Sequence, residues 1–232
     1  MNDMYSRTAA LLGQEETERI KSSSVLLFGV GGVGSYCAEA LIRSGVGKIT
    51  LVDGDIVNPT NINRQLIALN STIGLYKTDV MKMRGIDINP DIKIQSLNVF
   101  YTEEYDSANP LDFSDFDYII DCIDSVRDKL YIIKKAKLAN VPIISSMGAD
   151  NKLNPSKFII TDIYKTSGCP LAKVMRTNLR KLNIDSLKVA FSDETPVKTI
   201  DRNVPLGSVS FVPSACGLVI AGEVIRNIAG VE

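Results

Sequence analysis

The sequence predicts an α/β fold with a doubly wound, mainly parallel sheet and a C-terminal elaboration. Apolar runs of strand length alternate with helical patterns along most of the chain, an order typical of parallel sheets covered by helices on both faces. The first apolar run, residues 25–28, is followed by three spaced glycines and then a helical pattern. A strand, a glycine-rich turn and a helix in that order begin a Rossmann-like nucleotide-binding unit.

The glycine-rich turn has the spacing of a phosphate site. Gly29 permits a tight turn, Gly31 lets the backbone approach a phosphate, and Gly34 lets the helix pack against the strand. Gly32 lies in the same turn, and phosphate oxygens would accept hydrogen bonds from N–H groups at the positive end of the helix. Asp53 ends the next strand, nineteen positions after Gly34, where a carboxylate usually binds a ribose hydroxyl.

The other elements follow from hydrophobic periodicity. Residues 3–20 predict one or two polar helices with Asp3 or Ser6 as the cap. Their expected inward contacts are Leu11, Leu12 and Ile20. Further helices are expected over 36–43, 77–89 and 125–140, and strands over 48–53, 91–99, 117–124 and 142–147. Beyond these, we expect added strands over 158–164 and 187–191, a helix over 170–182 between them, and a core-packed helix over 216–228.

Composition indicates one ordinary globular domain. We expect a single domain over 1–232, made of an N-terminal helical segment (1–20), a nucleotide-binding core (21–150) and a substrate-side elaboration (151–232). No apolar run approaches a membrane span and residues 1–19 are too polar for a signal peptide, so a cytoplasmic protein is expected. The four cysteines form no Cys-x-x-Cys pair, which predicts reduced thiols and no zinc site.

The charged residues constrain the chemistry and the partner. The chain has no histidine, so catalysis would rely on carboxylates, Lys, Arg, Cys or the substrate itself. Although the formal net charge is −1, residues 125–188 carry thirteen Lys or Arg and four Asp, a segment charge of +9. Lys173, Arg176 and Arg180 recur there at helical spacing, which favours contact with a nucleic-acid backbone; a solvated helix face is the alternative.

The loop after the second predicted strand adds positive charge where ligands bind in parallel sheets. Asn61, Arg64 and Lys77 follow that strand. A nicotinamide enzyme has only a diphosphate to neutralise, whereas a triphosphate that loses pyrophosphate carries more charge, so these residues favour nucleotidyl transfer. Asp124 ends the fourth strand and could hold Mg²⁺ or, alternatively, cap the helix that begins near residue 125.

Six segments together resemble the ubiquitin-activating-enzyme-like adenylyltransferases, the superfamily of the molybdopterin and thiamine adenylyltransferases. They are Gly29-Val-Gly-Gly-Val-Gly-Ser35, Asp53-Gly-Asp55-Ile-Val57, Asn61-Ile-Asn-Arg-Gln65, Gly74-Leu-Tyr-Lys77, Ile88-Asn-Pro90 and Asp121-Cys-Ile-Asp124. The resemblance implies that ATP and Mg²⁺ bind at the glycine turn, with Asp53 at the ribose and Asp124 at the magnesium. It places Asn61, Arg64 and Lys77 around the phosphates and includes Asp55 in the nucleotide site. It also implies a homodimer, because Arg7 matches an arginine that relatives offer to the partner subunit's ATP.

The second half of the chain favours one branch of that superfamily. Branches that activate small sulfur-carrier proteins usually hold zinc through two Cys-x-x-Cys pairs, which this sequence lacks. Segments of the second half instead resemble the tRNA threonylcarbamoyladenosine dehydratases: Ser145-Ser-Met-Gly-Ala149, Asp162-Ile-Tyr-Lys-Thr166, Pro170-Leu-Ala172, Arg176, Phe191-Ser-Asp-Glu194 and Leu206-Gly-Ser208.

The implied reaction is ATP-dependent dehydration, by cyclisation, of threonylcarbamoyladenosine at position 37 of tRNA through carboxylate adenylation. Sulfur-relay proteins are further candidate partners. The alternative function is an adenylyltransferase that activates the C-terminus of a ubiquitin-like sulfur-carrier protein. Cys169 bears on this choice, because a thiolate at a helix N-terminus could form a thioester with a carrier, whereas the dehydration needs none and Cys169 would then be a packing residue.

Overall fold

The computed structural model describes residues 4–197 and 206–231, which contain a seven-stranded sheet. The strands are β1 (Ser24–Phe28), β2 (Lys48–Val52), β3 (Lys93–Leu97), β4 (Tyr118–Asp121), β5 (Ile143–Ser146), β6 (Phe158–Asp162) and β7 (Lys188–Ser192). Their order is β3-β2-β1-β4-β5-β7-β6, and all neighbours are parallel except β6 and β7. The predicted mainly parallel sheet with added strands is confirmed.

Helices cover both faces of this sheet. They are α1 (Ser6–Leu12), α2 (Gln14–Ser22), α3 (Gly34–Ser44), α4 (Lys77–Ile88), α5 (Glu103–Ala108), α6 (Val126–Leu138), α7 (Pro170–Lys181) and α8 (Phe211–Ala229). One apolar core includes residues of α3, α4 and α8, and a second includes residues of α6 and α7. The short helix α5 was not predicted, because six residues are too few for a clear helical period.

The position of β1 between two apolar cores explains why its sequence is continuously apolar. Val25 and Leu27 belong to the first core, whereas Leu26 and Phe28 belong to the second. Successive side chains of a strand point to opposite faces, so a strand covered on both sides needs apolar residues at every position. In the sheet, β2 lies on one side of β1 and β4 lies on its other side, so the direction in which strands are added reverses at β1. This reversal opens a crevice at the carboxyl ends of the central strands.

The N-terminal segment differs in detail from the prediction. It forms two helices, and Ile20 is fully buried as expected. The prediction that Leu11 faces inward is wrong, since its side chain is 84% exposed. Tyr5 occupies the cap position of α1 and Ser6 is its first helical residue, while Asp3 lies outside the described residues.

The C-terminal helix α8 corrects the expectation about membrane spans. By length and apolar composition alone, Phe211–Ala229 could cross a membrane. In the structure this helix packs against α3, and the side chains of Cys216, Ile220 and Val224 are fully buried. The prediction of a core-packed helix is therefore confirmed, and its apolar character has a structural cause.

Candidate nucleotide site

A cavity of about 380 Å³ opens at the carboxyl ends of the central strands. It collects most of the residues that the sequence singled out. Those in its lining are Gly29, Gly31, Gly32, Asp53, Asp55, Asn61, Arg64, Lys77 and Asp124. Residues separated by almost a hundred positions thus meet in one place, because parallel strands end at the same edge of the sheet.

Steric contacts explain two of the glycines in the turn between β1 and α3. Gly29 has a φ of 84°, and a Cβ atom there would lie 2.8 Å from the carbonyl oxygen of Cys122. A Cβ atom on Gly34 would lie 1.8 Å from the carbonyl oxygen of Gly29. Gly34 is absent from the cavity lining and serves the packing of the turn, whereas Gly31 faces the cavity.

Asp53 is fixed by the backbone around it. One carboxylate oxygen accepts a hydrogen bond from Val30 N at 2.7 Å and the other accepts one from Asp55 N at 2.9 Å. Burial raises the pKa of Asp53 above its usual range, and the positive charge of Lys77 opposes this rise. A carboxylate anchored in this way can still accept a hydrogen bond from a ligand hydroxyl, since each oxygen has two lone pairs.

The cations of the site are held by the loop between β2 and α4. Lys77, the first residue of α4, has a side chain only 7% exposed, and its ammonium lies 2.7 Å from the carboxylate of Asp55. Arg64 donates hydrogen bonds to Thr60 O and Asn63 Oδ1, both at 3.0 Å. Both cations can therefore exchange a local acceptor for a phosphate oxygen.

Asn61 has a structural bond in the same loop. Its Oδ1 accepts a hydrogen bond from Asn58 N at 3.0 Å, which completes a capping box around the short 3₁₀ turn at residues 59–61. Its amide nitrogen is left as the group with which it could donate to a phosphate.

The structure excludes one of the two interpretations of Asp124. Ser125 caps α6, with its hydroxyl accepting from Asp128 N, so the capping interpretation of Asp124 is wrong. Asp124 is exposed to the cavity. Asp150, which sequence reasoning missed, also lines the cavity: burial raises its pKa, the charge of Arg64 opposes that rise, and the charge of Asp124 adds to it.

A buried ion pair, also missed from the sequence, supports the wall of the cavity. Asp121 at the end of β4 and Lys129 on α6 are both fully buried. The ammonium of Lys129 donates to Asp121 Oδ1 at 3.0 Å and to Ile123 O at 2.8 Å. Ser145 Oγ donates to the other oxygen of Asp121 at 2.6 Å. This network fixes the backbone that leads to Asp124.

Comparison with known proteins assigns the chain to a family. The ThiF family model matches residues 5–232. The chain belongs to the ThiF family. It is 44% identical to the tRNA threonylcarbamoyladenosine dehydratase of Bacillus subtilis, over 98% of this chain and 95% of that one. A crystal structure of the E. coli tRNA N6-threonylcarbamoyladenosine dehydratase in complex with ATP is 31% identical, with a TM-score of 0.88 over 98% of this chain and 94% of the other.

Another ThiF-like branch matches less of the chain. The molybdopterin-synthase adenylyltransferase of Haemophilus influenzae is 31% identical over 55% of this chain and 51% of its own length. The similarity to the Bacillus subtilis dehydratase thus extends over nearly twice as much of the sequence.

Besides Gly34, four predicted residues of this ThiF-family chain lie outside the cavity lining. Arg7 is exposed on α1. Lys173 and Arg180 are exposed on α7, where the Arg180 guanidinium lies over the ring of Tyr164. Arg176 is half-buried, and it donates hydrogen bonds to the carbonyl and hydroxyl oxygens of Thr166.

The positive charge of residues 125–188 is only partly on the surface. Lys129 and Lys152 are buried, and Lys152 donates to Ser192 O at 2.7 Å. Lys135 is bound by the carboxylate of Asp106. The exposed cations on the neighbouring helices α6 and α7 are Arg127, Lys134, Lys137, Lys173, Arg180 and Lys181. The basic surface is therefore smaller than the sum of charges suggests.

Cys169 occupies the N-cap position of α7, without a capping hydrogen bond from its side chain, and it is only 3% exposed. It belongs to the same apolar core as Ala172 and Met175. This burial favours the packing role over a thioester role, since an acyl group on the sulfur would need access from the cavity.

Proposed function

We propose that this protein catalyses the ATP-dependent dehydration of threonylcarbamoyladenosine at position 37 of tRNA. The observation that carries the proposal is the convergence of Asp53, Arg64, Lys77 and Asp124 on one cavity. It is supported by 44% identity, over almost the whole chain, to a tRNA threonylcarbamoyladenosine dehydratase. It is further supported by the fold shared with the E. coli enzyme in complex with ATP.

In the proposed reaction the free carboxylate of the threonylcarbamoyl group attacks the α-phosphorus of ATP and pyrophosphate leaves. An atom of the threonylcarbamoyl group then attacks the activated carboxyl carbon of that same group. An N–H of the threonylcarbamoyl group loses its proton, and AMP leaves with one oxygen of the former carboxylate. The net change in the nucleoside is the loss of one water. Because the nucleophile belongs to the substrate, the protein mainly positions groups and stabilises charge, which needs no histidine.

Several residues of the cavity have distinct roles in this scheme. The Asp53 carboxylate binds the ribose, and backbone N–H groups of the glycine turn bind phosphate oxygens. Arg64 and Lys77 neutralise the triphosphate and stabilise the charge that develops as pyrophosphate departs. The Asp55 carboxylate holds the Lys77 ammonium in place until a phosphate replaces it as the closest anion.

The donor set also fits Mg²⁺. Within residues 4–197 and 206–231, no three His, Cys, Asp or Glu side chains cluster as metal ligands. Mg²⁺ usually takes only one or two carboxylates and completes its shell with phosphate oxygens and water, so Asp124 beside the triphosphate is sufficient. The ion would supply charge neutralisation at the phosphates.

The direct test incubates the purified protein with ATP, Mg²⁺ and tRNA that carries threonylcarbamoyladenosine. We expect AMP release and a nucleoside lighter by one water, measured by mass spectrometry after digestion. A parallel incubation with a ubiquitin-like sulfur-carrier protein tests the alternative. Adenylation of the carrier without any change in the tRNA would contradict the proposed function.

We further propose that the protein acts as a homodimer in the cytoplasm, with sulfur-relay proteins as additional partners. A group of exposed apolar side chains between β2 and α4 supports the dimer, since a patch of this kind is typical of an interface. Its members are Ile56, Ile62, Leu69, Ile73, Leu75 and Tyr76. A second copy would cover this patch and could bring its Arg7 to the ATP.

Mixed dimers test whether Arg7 acts across that interface. Arg7→Ala and Lys77→Ala proteins should each be inactive, because each removes a cation from every site. After subunit exchange, half of the dimers are mixed and each has one intact site, so about a quarter of wild-type activity should return. Exchange is verified with differently tagged subunits. Absence of any recovery in verified mixed dimers would contradict the trans role.

The exposed cations on α7 are proposed to contact tRNA phosphates. Replacing Lys173 and Arg180 with Gln should weaken tRNA binding and lower its salt dependence by roughly one unit of slope per lost phosphate contact. Arg176 is left unchanged because it holds Thr166. The matched control replaces Lys48 and Lys93, exposed cations at the amino ends of β2 and β3. Equal losses in both double variants would indicate only a general charge effect.

A further inference from the structure

Gln65 lies in the wall of the nucleotide cavity and has no role in the scheme above. The residue is only 8% exposed. Its backbone is fixed, because Gln65 N donates to Asn61 O at 2.9 Å and Gln65 O accepts from Ala68 N at 3.0 Å. The side-chain oxygen Oε1 is buried, and no donor reaches it from the residues that the structure describes.

The other end of the amide lies beside the phosphate-binding turn. A Cβ atom on Gly31 would lie 3.7 Å from Gln65 Nε2, so the amide borders the position where the backbone approaches a phosphate. Arg64, the preceding residue, also lines the cavity. The Gln65 amide therefore lies next to the expected reaction centre.

A buried acceptor without a donor costs about 1–3 kcal/mol, so its presence on a residue that lines the cavity points to a ligand toward which the amide turns to take the donor. The triphosphate of ATP supplies only acceptors and the ribose hydroxyls are expected at Asp53. The adenine amino group is a donor, but it lies beyond the ribose, at the end of ATP opposite the phosphates. The group that is adenylated, in contrast, carries an N–H and a threonine hydroxyl close to its carboxylate.

On the basis of the proposed function, we propose that Gln65 Oε1 accepts a hydrogen bond from the N–H or the hydroxyl of the threonylcarbamoyl group. Gln65 then binds the second substrate and holds its carboxylate beside the α-phosphate. Its role is distinct from that of Lys77 and Arg64, which bind the nucleotide. A site with a buried acceptor discriminates strongly against a substrate that lacks the matching donor.

The test compares wild-type protein with Gln65→Met, a near-isosteric change that removes both polar atoms. AMP formation with modified tRNA should fall about tenfold to a hundredfold, since 1.4 kcal/mol corresponds to a factor of ten. The Kd for ATP should stay within about threefold, because the nucleotide contacts are unchanged. The Tm should be equal or higher, since an unsatisfied buried oxygen has been removed. Gln95→Met, at an exposed position on β3, is the matched control.

A second arm identifies the donor. Both proteins are tested on tRNA with a glycylcarbamoyl group, which lacks the hydroxyl. If the hydroxyl is the donor, wild-type protein should be slower on this substrate and Gln65→Met should lose the discrimination. If the N–H is the donor, the loss in Gln65→Met should be equal on both substrates.

The outcomes separate this inference from the function on which it rests. Wild-type protein without activity on modified tRNA would contradict the proposed function. Active wild-type protein and an equally active Gln65→Met would overturn only the role of Gln65. A parallel loss of ATP binding would overturn it too, because the amide would then contact the nucleotide, and a lower Tm would assign the amide to the fold.

Discussion

Lys77→Ala should lose AMP formation by about a hundredfold to a thousandfold, since one preorganised charge at such a site contributes about 3 kcal/mol. The side chain of Lys77 is almost buried and lies in the cavity, where its ammonium pairs with the carboxylate of Asp55. Its charge thus acts in surroundings of low dielectric, where it is worth more than in water. The measurement is the rate of AMP formation with saturating ATP and modified tRNA.

A matched control keeps this result specific. Lys82→Ala removes a lysine from the same helix α4 but outside the cavity lining, and it should leave the rate within about twofold, as surface changes usually do. Thermal unfolding shows whether Lys77→Ala is folded. A folded Lys77→Ala protein with wild-type turnover would rule out the assignment of this residue to the triphosphate.

The sequence predicts which strand-end residues meet in the cavity, because the topology brings the ends of the strands together. Gly29, Asp53 and Asp124 each follow a buried apolar strand, and the strands are parallel neighbours in the sheet. Once the alternation of strands and helices indicates such a sheet, residues after each strand are expected at one edge. The fold and the strand-end residues of the cavity could therefore be derived from periodicity and position, whereas Asp150 could not.

Side-chain pairing across the fold could not be derived in this way. Lys135 and Asp106 are 29 positions apart in sequence and still form an ion pair. Lys152, in a loop after β5, is buried against β7. A sum of charges counts such lysines as part of the positive surface. Only the packing of α6 and β7 shows that these lysines are paired or buried.

The interpretation of Asp124 shows the same limit at one residue. Asp124 and Ser125 are adjacent, and both are favoured helix caps. The choice depends on where the first turn of α6 begins, which is uncertain by one or two residues in any prediction from sequence. Since Ser125 takes the cap, the Asp124 carboxylate is left for the cavity.

The buried pair of Asp121 and Lys129 gives the largest expected effect on stability. Lys129→Met should lower the free energy of unfolding by about 3–5 kcal/mol, because it leaves the Asp121 carboxylate buried without its cation. Urea denaturation measures this loss. Lys137→Met, at an exposed position of the same helix, should change the free energy of unfolding by less than about 0.5 kcal/mol.

A double variant separates the buried charge from the lost packing. Adding Asp121→Asn to Lys129→Met removes the uncompensated charge while the Asn oxygen can still accept a hydrogen bond from Ser145, so part of the stability should return. Because Lys129 also donates to the carbonyl of Ile123 in the cavity wall, both variants should bind ATP more weakly than wild-type protein, even where they are folded. If the two changes instead add without recovery, the loss in Lys129→Met comes from packing and not from the unpaired carboxylate.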